Sequence, residues 1–171
     1  MKRPAPSLQA RALGWLAQRE HSRSELRRKL LRHAAAVAQQ ATEEQEQNAT
    51  EVSARVEALL ELLQAKGLLS EERFIESRVR LRSPRLGTRR IEAELSQHGL
   101  ELTPQAQQQL RASELQRAAQ LCQRRFAGPA ADARERARRM RFLAGRGFSG
   151  EVIRKVLTGA PGDGDDEQPD A

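Results

Sequence analysis

One stretch of the sequence decides the fold, and it reads Leu63-Gln64-Ala65-Lys66-Gly67-Leu68-Leu69-Ser70-Glu71-Glu72-Arg73-Phe74. Its residue types are those of a helix end, a glycine turn and a new helix start. Gly67 can adopt the left-handed conformation that ends a helix, without the steric cost that a Cβ would add. Ser70 can accept a hydrogen bond from a free amide of the next helix, and the two glutamates that follow suit the positive end of that helix. The stretch therefore predicts a tight junction between two helices.

The same pattern occurs twice more, at residues 95–100 (Leu-Ser-Gln-His-Gly-Leu) and at residues 143–148 (Leu-Ala-Gly-Arg-Gly-Phe). Each copy has a leucine, three further residues, a glycine and a large apolar residue. A candidate N-cap follows each copy, and these caps are Ser70, Thr103 and Ser149. A pattern repeated in this way predicts a structure built from tandem helical units.

The composition favours an all-α fold. The 171 residues include four Phe, one Trp and no Tyr. The β-branched and aromatic residues that strands use are scarce, whereas Ala, Leu, Gln, Glu and Arg, which form helices well, dominate. About nine helices are expected, in three groups of three that begin near Ser7, Ser70 and Ser113. Each group is too small to bury its apolar faces alone, so the groups are expected to stack into an elongated array.

These signals predict the organisation of the chain. Residues 1–6 contain two prolines and are expected to form a flexible N-terminus. A helical repeat domain spans residues 7–158, and its three repeats cover residues 7–69, 70–112 and 113–158. Residues 34–51 are low in complexity and resemble an insertion, which forms either a helical extension or a mobile segment. Residues 159–171 are rich in Gly, Pro and acidic residues and are expected to be a disordered acidic tail.

Basic residues outnumber acidic ones by 30 to 23, which gives the chain a net charge of +7. Residues 159–171 hold five acidic residues and no basic one, so residues 1–158 alone carry +12. Arginine accounts for 26 of the 30 basic residues, and its guanidinium group favours forked contacts with phosphate or carboxylate. This charge indicates a nucleic acid or an acidic protein surface as the partner.

The arginines are densest in two stretches, residues 78–90 and residues 134–146. Ion pairs between residues four apart, such as Glu135–Arg139, use only part of them. Aromatic residues are not interleaved with these arginines, which argues against a base-stacking site of the RRM or OB type. The candidates for contact with a filament or a nucleic acid are Arg78, Arg80, Arg82, Arg89, Arg90, Arg134, Arg138, Arg139, Arg141 and Arg146.

No set of catalytic or metal-binding residues stands out in the sequence. His21, His33 and His98 lie near predicted helix ends without Cys, Asp or Glu at metal-ligand spacing, so we expect no enzymatic activity, no metal and no cofactor. His98, which precedes Gly99, is expected to interact with the end of its own helix. The single Cys122 excludes an internal disulfide and fits a reducing compartment. No apolar run is long enough to cross a bilayer, and we expect a cytoplasmic monomer.

Four stretches of the chain together resemble a known protein family. They are His21-Ser22-Arg23-Ser24-Glu25-Leu26 with Lys29-Leu30, then residues 67–74, then Arg90-Ile91 with Glu94-Leu95 and Gly99, and finally Phe142-Leu143 with Arg146-Gly147-Phe148-Ser149. Their order and spacing resemble the RecX family of bacterial regulators of the RecA recombinase, over residues 8–158. The three tandem three-helix repeats of that family match the number of helices expected from the sequence.

The resemblance implies a small protein without catalytic activity that binds RecA filaments on single-stranded DNA. Such a protein would restrain ATP hydrolysis, strand exchange and co-protease function, and so act in DNA recombination, DNA repair and the SOS response. Its binding to single-stranded DNA alone would be weak and sensitive to salt. Two features depart from the family pattern: Ala34 stands where the first turn glycine is expected, and residues 34–51 resemble an insertion.

The alternative is a basic DNA-binding protein of the helix-turn-helix type that acts as a transcriptional regulator. Such a protein reads bases with polar or basic residues at the start of a recognition helix. The predicted helix after Ser70 begins instead with Glu71 and Glu72, which would meet DNA phosphates with negative charge. This weakens the alternative, and it stays open.

Overall fold

The computed structural model describes residues 6–38 and 45–159. Nine helices and no strand lie within these residues, which confirms the predicted all-α fold. The start of the predicted N-terminal segment, the centre of the predicted insertion and the acidic tail beyond Gly159 lie outside the described residues. The helices are α1 (Leu8–Leu16), α2 (Arg23–Ala38), α3 (Gln45–Ala65), α4 (Glu71–Arg82), α5 (Thr88–Ser96), α6 (Pro104–Ala112), α7 (Glu114–Arg125), α8 (Ala133–Ala144) and α9 (Gly150–Thr158).

The chain divides into two compact units. The first comprises residues up to Ser77 together with His98–Leu100, and the second comprises Arg78–Gln97 together with residues from Glu101 onward. The division falls inside α4, which runs from Glu71 to Arg82. The three repeats and their elongated stacking stay a prediction.

The first unit is built around the apolar faces of α1, α2 and α3. Its buried core contains Leu26 and Leu30 from α2 and Leu60 from α3, and Trp15 packs against it partly buried. Residues 34–38 belong to α2 and residues 45–51 to α3. Both ends of the predicted insertion are therefore helical, in keeping with the helix propensity of Ala and Gln.

Two of the three predicted glycine turns close with the same pair of backbone hydrogen bonds. The amide after the glycine donates to the carbonyl of the leucine that stands four residues before the glycine, and the glycine amide donates to the carbonyl three residues before it. The first bond is 2.9 Å long at the Gly67 turn and 3.3 Å long at the Gly147 turn, and the second bond is 2.9 Å long at both. The arrangement is the Schellman motif, which requires a left-handed residue after the helix. The φ angles are 66° at Gly67, 74° at Gly99 and 81° at Gly147.

The predicted N-caps Ser70, Thr103 and Ser149 are also confirmed, and Ser7, Ser22 and Asp132 cap helices in the same way. Each of the six side chains accepts a hydrogen bond from the backbone amide three residues further on, at 2.7–3.2 Å. Helix α5 is different, because its N-cap is Gly87 and has no side chain. The buried carboxylate of Glu114 in α7 accepts the Thr88 amide instead, at 2.8 Å. The start of α5 is thus capped by a different helix.

A half-buried arginine holds the loop between α4 and α5 in the second unit. The guanidinium group of Arg117 donates to the carbonyl oxygens of Ser83 at 2.8 Å and Leu86 at 2.7 Å, and to that of Leu110 at 2.8 Å. Burial lowers the pKa of Arg117, and the neighbouring carboxylate of Glu114 opposes that shift. The two side chains together fasten the loop and the start of α5 to α7.

The start of α5 also contacts the turn between α8 and α9 through backbone atoms. The Gly87 amide donates to the carbonyl of Arg146 at 2.9 Å. A Cβ on Gly87 would lie 2.3 Å from the carbonyl oxygen of Gly147, and a Cβ on Gly147 would lie 2.6 Å from the Cβ of Arg90. Both positions therefore need glycine, since real Cβ atoms do not approach other atoms this closely.

Two apolar side chains lie outside the core. Leu81 follows Phe74 by seven positions and Met140 precedes Leu143 by three, so helical spacing predicts an inward position for both, but they are 68% and 48% exposed. In α8 the inward position next to Leu143 belongs to Arg139, which is only 6% exposed. The reason is that Arg139 donates hydrogen bonds to carbonyls of the loop between α7 and α8. No helix of the described residues is long and apolar enough to span a membrane.

Alanine substitutions at three glycines should separate backbone strain from steric overlap. Gly14 lies inside α1 with open space around it, so Gly14→Ala should raise the free energy of unfolding by about 0.5–1 kcal/mol. Gly67 also has open space but a positive φ, so Gly67→Ala should lower it by about 1–2 kcal/mol. Gly147→Ala adds steric overlap with Arg90 to the backbone strain, so it should lower the free energy of unfolding by more than about 3 kcal/mol.

Urea denaturation measures these changes. Trp15 fluorescence follows the first unit, because Trp15 is the single tryptophan of the chain, and far-UV circular dichroism follows both units. Equal costs for Gly67→Ala and Gly147→Ala would contradict the close packing of the α8–α9 turn against α5.

Candidate nucleic-acid interface

Two histidines of the first unit, His21 and His98, lie in a polar cluster at the start of α2. The Ser22 hydroxyl lies 2.8 Å from Nδ1 of His98 and also accepts the amide of Glu25. The Ser24 hydroxyl donates to the carbonyl of His98 at 3.0 Å. The ring of His98 packs edge-on against Phe74, with ring centroids 4.9 Å apart.

This geometry gives His98 a role at the start of α2, where its Nδ1 contacts the Ser22 hydroxyl. Its expected interaction with the end of its own helix stays a prediction. The Ser22 hydroxyl is fully buried and already caps α2, so this serine–histidine pair has no room for a substrate. Burial raises the pKa of the Cys122 thiol, which leaves this thiol in its unreactive form.

His21 is held neutral in the same cluster. Its Nδ1 lies 3.1 Å from the carbonyl of Glu20, and its Nε2 lies 3.0 Å from the Lys29 ammonium. One neutral tautomer satisfies both contacts, donating from Nδ1 and accepting at Nε2. Burial lowers the pKa of His21 from 6.5 to about 4; Glu25 opposes this shift, whereas Arg19 and Lys29 add to it.

The arginines of the middle cluster, residues 78–90, differ in their surroundings. Arg78 is half-buried and interacts with neighbouring groups. The exposed Arg82 pairs with the Glu94 carboxylate at 2.9 Å. Arg80, Arg89 and Arg90 are exposed, and the last two lie in the first turn of α5.

The arginines of the second cluster include a row along α8. Arg134, Arg138 and Arg141 are exposed and stand at i, i+4 and i+7, so they share one helix face. They line a shallow depression together with Asp132 and Glu135. Within the part of the chain that the structure describes, none of the three arginines forms an ion pair. We call these three residues the α8 arginine row.

The two acids beside the α8 arginine row are already engaged. Asp132 caps α8 by accepting the amide of Glu135 at 2.7 Å. The Glu135 carboxylate accepts the backbone amide of Ala131 and the guanidinium of Arg139, and these bonds lower its pKa. Neither carboxylate forms an ion pair with the row, although the nearby charge of Arg138 helps to lower the pKa of Glu135.

Arg139, which was included among the candidate contacts, is a structural residue. Its Nη1 donates to the carbonyl of Gly128 at 2.8 Å, and its Nη2 donates to Glu135 at 2.6 Å and to the carbonyl of Ala127 at 3.3 Å. Its guanidinium also lies 5.1 Å from the ring centroid of Phe126. Because Arg139 is buried and its Nη1 and Nη2 groups bind the α7–α8 loop and Glu135, we remove it from the candidate surface.

Arg146 lies against an aromatic ring. Its guanidinium carbon is 3.7 Å from the ring centroid of Phe142, and its Nη1 donates to the carbonyl of Phe142 at 3.2 Å. Phe142 in turn packs edge-on against Phe126, with ring centroids 5.2 Å apart. The sequence argument against aromatic residues among these arginines is therefore wrong for the folded chain. The spacing of Phe142 and Arg146 could have revealed their pairing, whereas nothing in the sequence indicates the contact with Phe126.

The fold brings the ends of the two arginine clusters together. The contact between Gly87 and Gly147 places Arg90 beside the turn that carries Arg146. Among the described residues, no group of three or more His, Cys, Asp or Glu side chains could hold a metal ion. The arrangement is a set of fixed and free guanidinium groups, which can bind phosphates, carboxylates or flat rings.

Comparisons with known proteins give a consistent result. Residues 112–157 match the family model described as RecX, third three-helix domain. The regulatory protein RecX of Leptothrix cholodnii is 46% identical to this chain over 157 residues, which cover 91% of this chain and 90% of that protein. The regulatory protein RecX of Herbaspirillum seropedicae is 45% identical over 168 residues, which cover 97% of this chain and 99% of that protein.

The fold also has a counterpart among solved structures. The crystal structure of RecX from Lactobacillus salivarius matches with a TM-score of 0.59, covering 89% of this chain and 93% of that one. The sequence identity is 18%, so this likeness concerns the fold alone.

Substitution of adjacent arginines tests which of them are structural. Arg139→Gln should lower the free energy of unfolding by about 2–4 kcal/mol, because it leaves the carbonyls of the α7–α8 loop and Glu135 without their donor. Arg138→Gln removes the same charge from an exposed position and should cost less than about 1 kcal/mol. Urea denaturation followed by circular dichroism measures both, and similar costs would contradict the assignment.

The buried His21 predicts a pH dependence of the first unit. Its pKa is about 4 in the folded chain and about 6.5 in the unfolded chain, so the unfolded chain binds more protons and stability falls as the pH falls. Between pH 7 and pH 5, above the range in which carboxylates titrate, the loss should be roughly 2 kcal/mol. Urea midpoints from Trp15 fluorescence should show it. His21→Gln should have a flatter profile, and parallel profiles would contradict the role of His21.

Proposed function

This chain belongs to the RecX family, and we propose that it is a regulator of the RecA recombinase that acts on the RecA filament on single-stranded DNA. The observation that carries the proposal is the identity of 40–46% with several proteins named regulatory protein RecX, over most of the chain. The proposal includes the three helical repeats, at residues 7–69, 70–112 and 113–158, stacked into an elongated body. It includes no catalytic step, since its action would be binding.

The α8 arginine row is the part of the chain that would contact the filament. Its three guanidinium groups are exposed and unpaired within the described residues, so they bind an anionic partner without first breaking an ion pair. A filament on single-stranded DNA offers phosphates, which favour forked contacts with arginine. Arg80, Arg89 and Arg90 add exposed charge elsewhere in the second unit.

A regulator of this kind would act by restraint. If one molecule contacts adjacent subunits of the filament, it opposes the subunit motions that ATP turnover needs. Inhibition would then occur with fewer regulator molecules than RecA subunits. A protein that only coats DNA would instead need enough copies to cover the strand, and added single-stranded DNA would relieve the inhibition.

ATP hydrolysis by preformed RecA filaments tests the proposal. Increasing amounts of the full chain should inhibit hydrolysis at substoichiometric ratios, and the inhibition should survive added single-stranded DNA. The triple variant with Gln at Arg134, Arg138 and Arg141 should need at least about tenfold more protein, because it loses three charged contacts.

A second triple variant serves as the matched control. Gln at Arg28, Arg32 and Arg55, which are exposed in the first unit, removes the same charge away from the α8 arginine row and should inhibit as the parent does. Inhibition abolished by added DNA would point to a simple DNA coat. No inhibition by the parent at any ratio would exclude RecA as the partner, and tight preference for one duplex sequence would favour a transcriptional regulator.

A further inference from the structure

The stacked pair of Arg146 and Phe142 is more constrained than an exposed arginine needs to be. The plane of the guanidinium is fixed at two points, by the ring at 3.7 Å and by the hydrogen bond from Nη1 to the carbonyl of Phe142. An arginine that contacts phosphates through a flexible side chain needs neither restraint. The geometry holds a flat cation in one orientation.

The ring and the backbone of this pair are fixed as well. Phe142 packs against the buried core of the second unit and edge-on against Phe126. The carbonyl of Arg146 accepts the Gly87 amide at 2.9 Å, which ties its backbone to the start of α5. The guanidinium is therefore preorganised, so a ligand stacking on it would lose little additional conformational entropy.

The pair also lies next to arginines of the α8 arginine row, which form no ion pair within the described residues. Arg138 precedes Phe142 by one helical turn, and its guanidinium lies 5.7 Å from the ring centroid of Phe126. Arg141 is exposed on the same helix. Arg146 is half-exposed and, among the described residues, has no carboxylate within ion-pair distance. An arginine that merely covers a phenylalanine would not need this neighbouring row of free cations.

We propose that Arg146, held on Phe142, is a stacking site for one base of single-stranded DNA, and that Arg138 and Arg141 bind the adjacent phosphates. The inference deepens the proposed function and rests on it for the class of ligand. A guanidinium plane stacks on a nucleobase in the same way as an aromatic side chain does. Every base has a flat face, so the site tolerates any sequence.

Single-stranded DNA fits this site better than duplex DNA or an acidic protein. In a duplex the base faces are covered by their neighbours, so only phosphates remain for the arginines. An acidic protein segment binds a guanidinium through its N–H edges, and one of those edges is already used by the carbonyl of Phe142. Arg146 is half-exposed, and an unpaired base would stack on the guanidinium face that points away from Phe142.

Binding to a strand without bases tests the inference without RecA. The full chain is titrated against fluorescent oligothymidylate and against an abasic strand of equal length, which keeps the phosphates and lacks the bases. The parent should bind the thymidylate strand at least about fivefold more tightly, since one stacked base contributes at the lower end about that factor.

Two lysine variants separate stacking from charge. Arg146→Lys keeps the positive charge and loses the planar group, so it should bind both strands alike, with the affinity for the abasic strand unchanged. Arg28→Lys, at an exposed position of the first unit, is the matched control and should keep the preference of the parent. Thermal melting by circular dichroism establishes that both variants fold.

Equal binding of the two strands by the parent would overturn the inference, and so would a preference that survives Arg146→Lys. An equal loss of affinity for both strands in Arg146→Lys would also overturn it, because it would make Arg146 a phosphate contact. If the parent binds neither strand but inhibits ATP hydrolysis by RecA filaments, the stacking site fails while the proposed function stands, and the contact is with protein.

Discussion

The contact between Gly87 and Gly147 is the constraint on which the second unit depends. Neither position tolerates a Cβ, since at Gly87 it would overlap the backbone of Gly147 and Phe148, and at Gly147 it would overlap Arg90. The hydrogen bond from the Gly87 amide to the carbonyl of Arg146 closes the contact. On the far side of the same loop, Arg117 and Glu114 hold the residues that lead into α5. The contact with the α8–α9 turn and the hydrogen bonds to α7 therefore both hold the loop before α5.

This constraint decides where the charged groups lie. It places the first turn of α5, with Arg90, against the turn that carries Arg146, although 56 positions separate the two arginines in the numbering. The constraint also sets the backbone of Arg146, whose side chain then stacks on Phe142. The close contact that these two glycines allow thus brings together the ends of two arginine clusters that are far apart in the sequence.

The number of arginines overstates the surface that is free to bind a partner. Arg117 and Arg139 donate to carbonyls inside the second unit, and Arg82 pairs with Glu94. A guanidinium carries five donors and can satisfy several carbonyls at once, which makes arginine suited to closing loops as well as to binding phosphate. The arginines left for a partner are those without such acceptors, above all the α8 arginine row.

Local signals account for what the sequence predicted well. The helix ends and starts depend on residues within a few positions of each other, so the glycine turns and the caps at Ser70 and Ser149 could be identified without the fold. The sequence could not indicate that Arg139, rather than Met140, lies on the inner face of α8, because this arrangement depends on carbonyls of the α7–α8 loop. The same holds for the contact of His98 with Ser22, the residue that caps a different helix. Contacts between distant residues leave no periodic signal in one sequence.

The salt dependence of binding to oligothymidylate tests most directly whether the α8 arginine row contacts the DNA backbone. The logarithm of the binding constant falls linearly with the logarithm of the salt concentration, by about 0.7 for each neutralised phosphate of a single strand. Replacing all three arginines of the row with Gln should therefore reduce the slope by roughly 2, with an unchanged unfolding midpoint. The same slope in the parent and the triple variant would contradict the assignment, because it would mean that these arginines face away from the DNA.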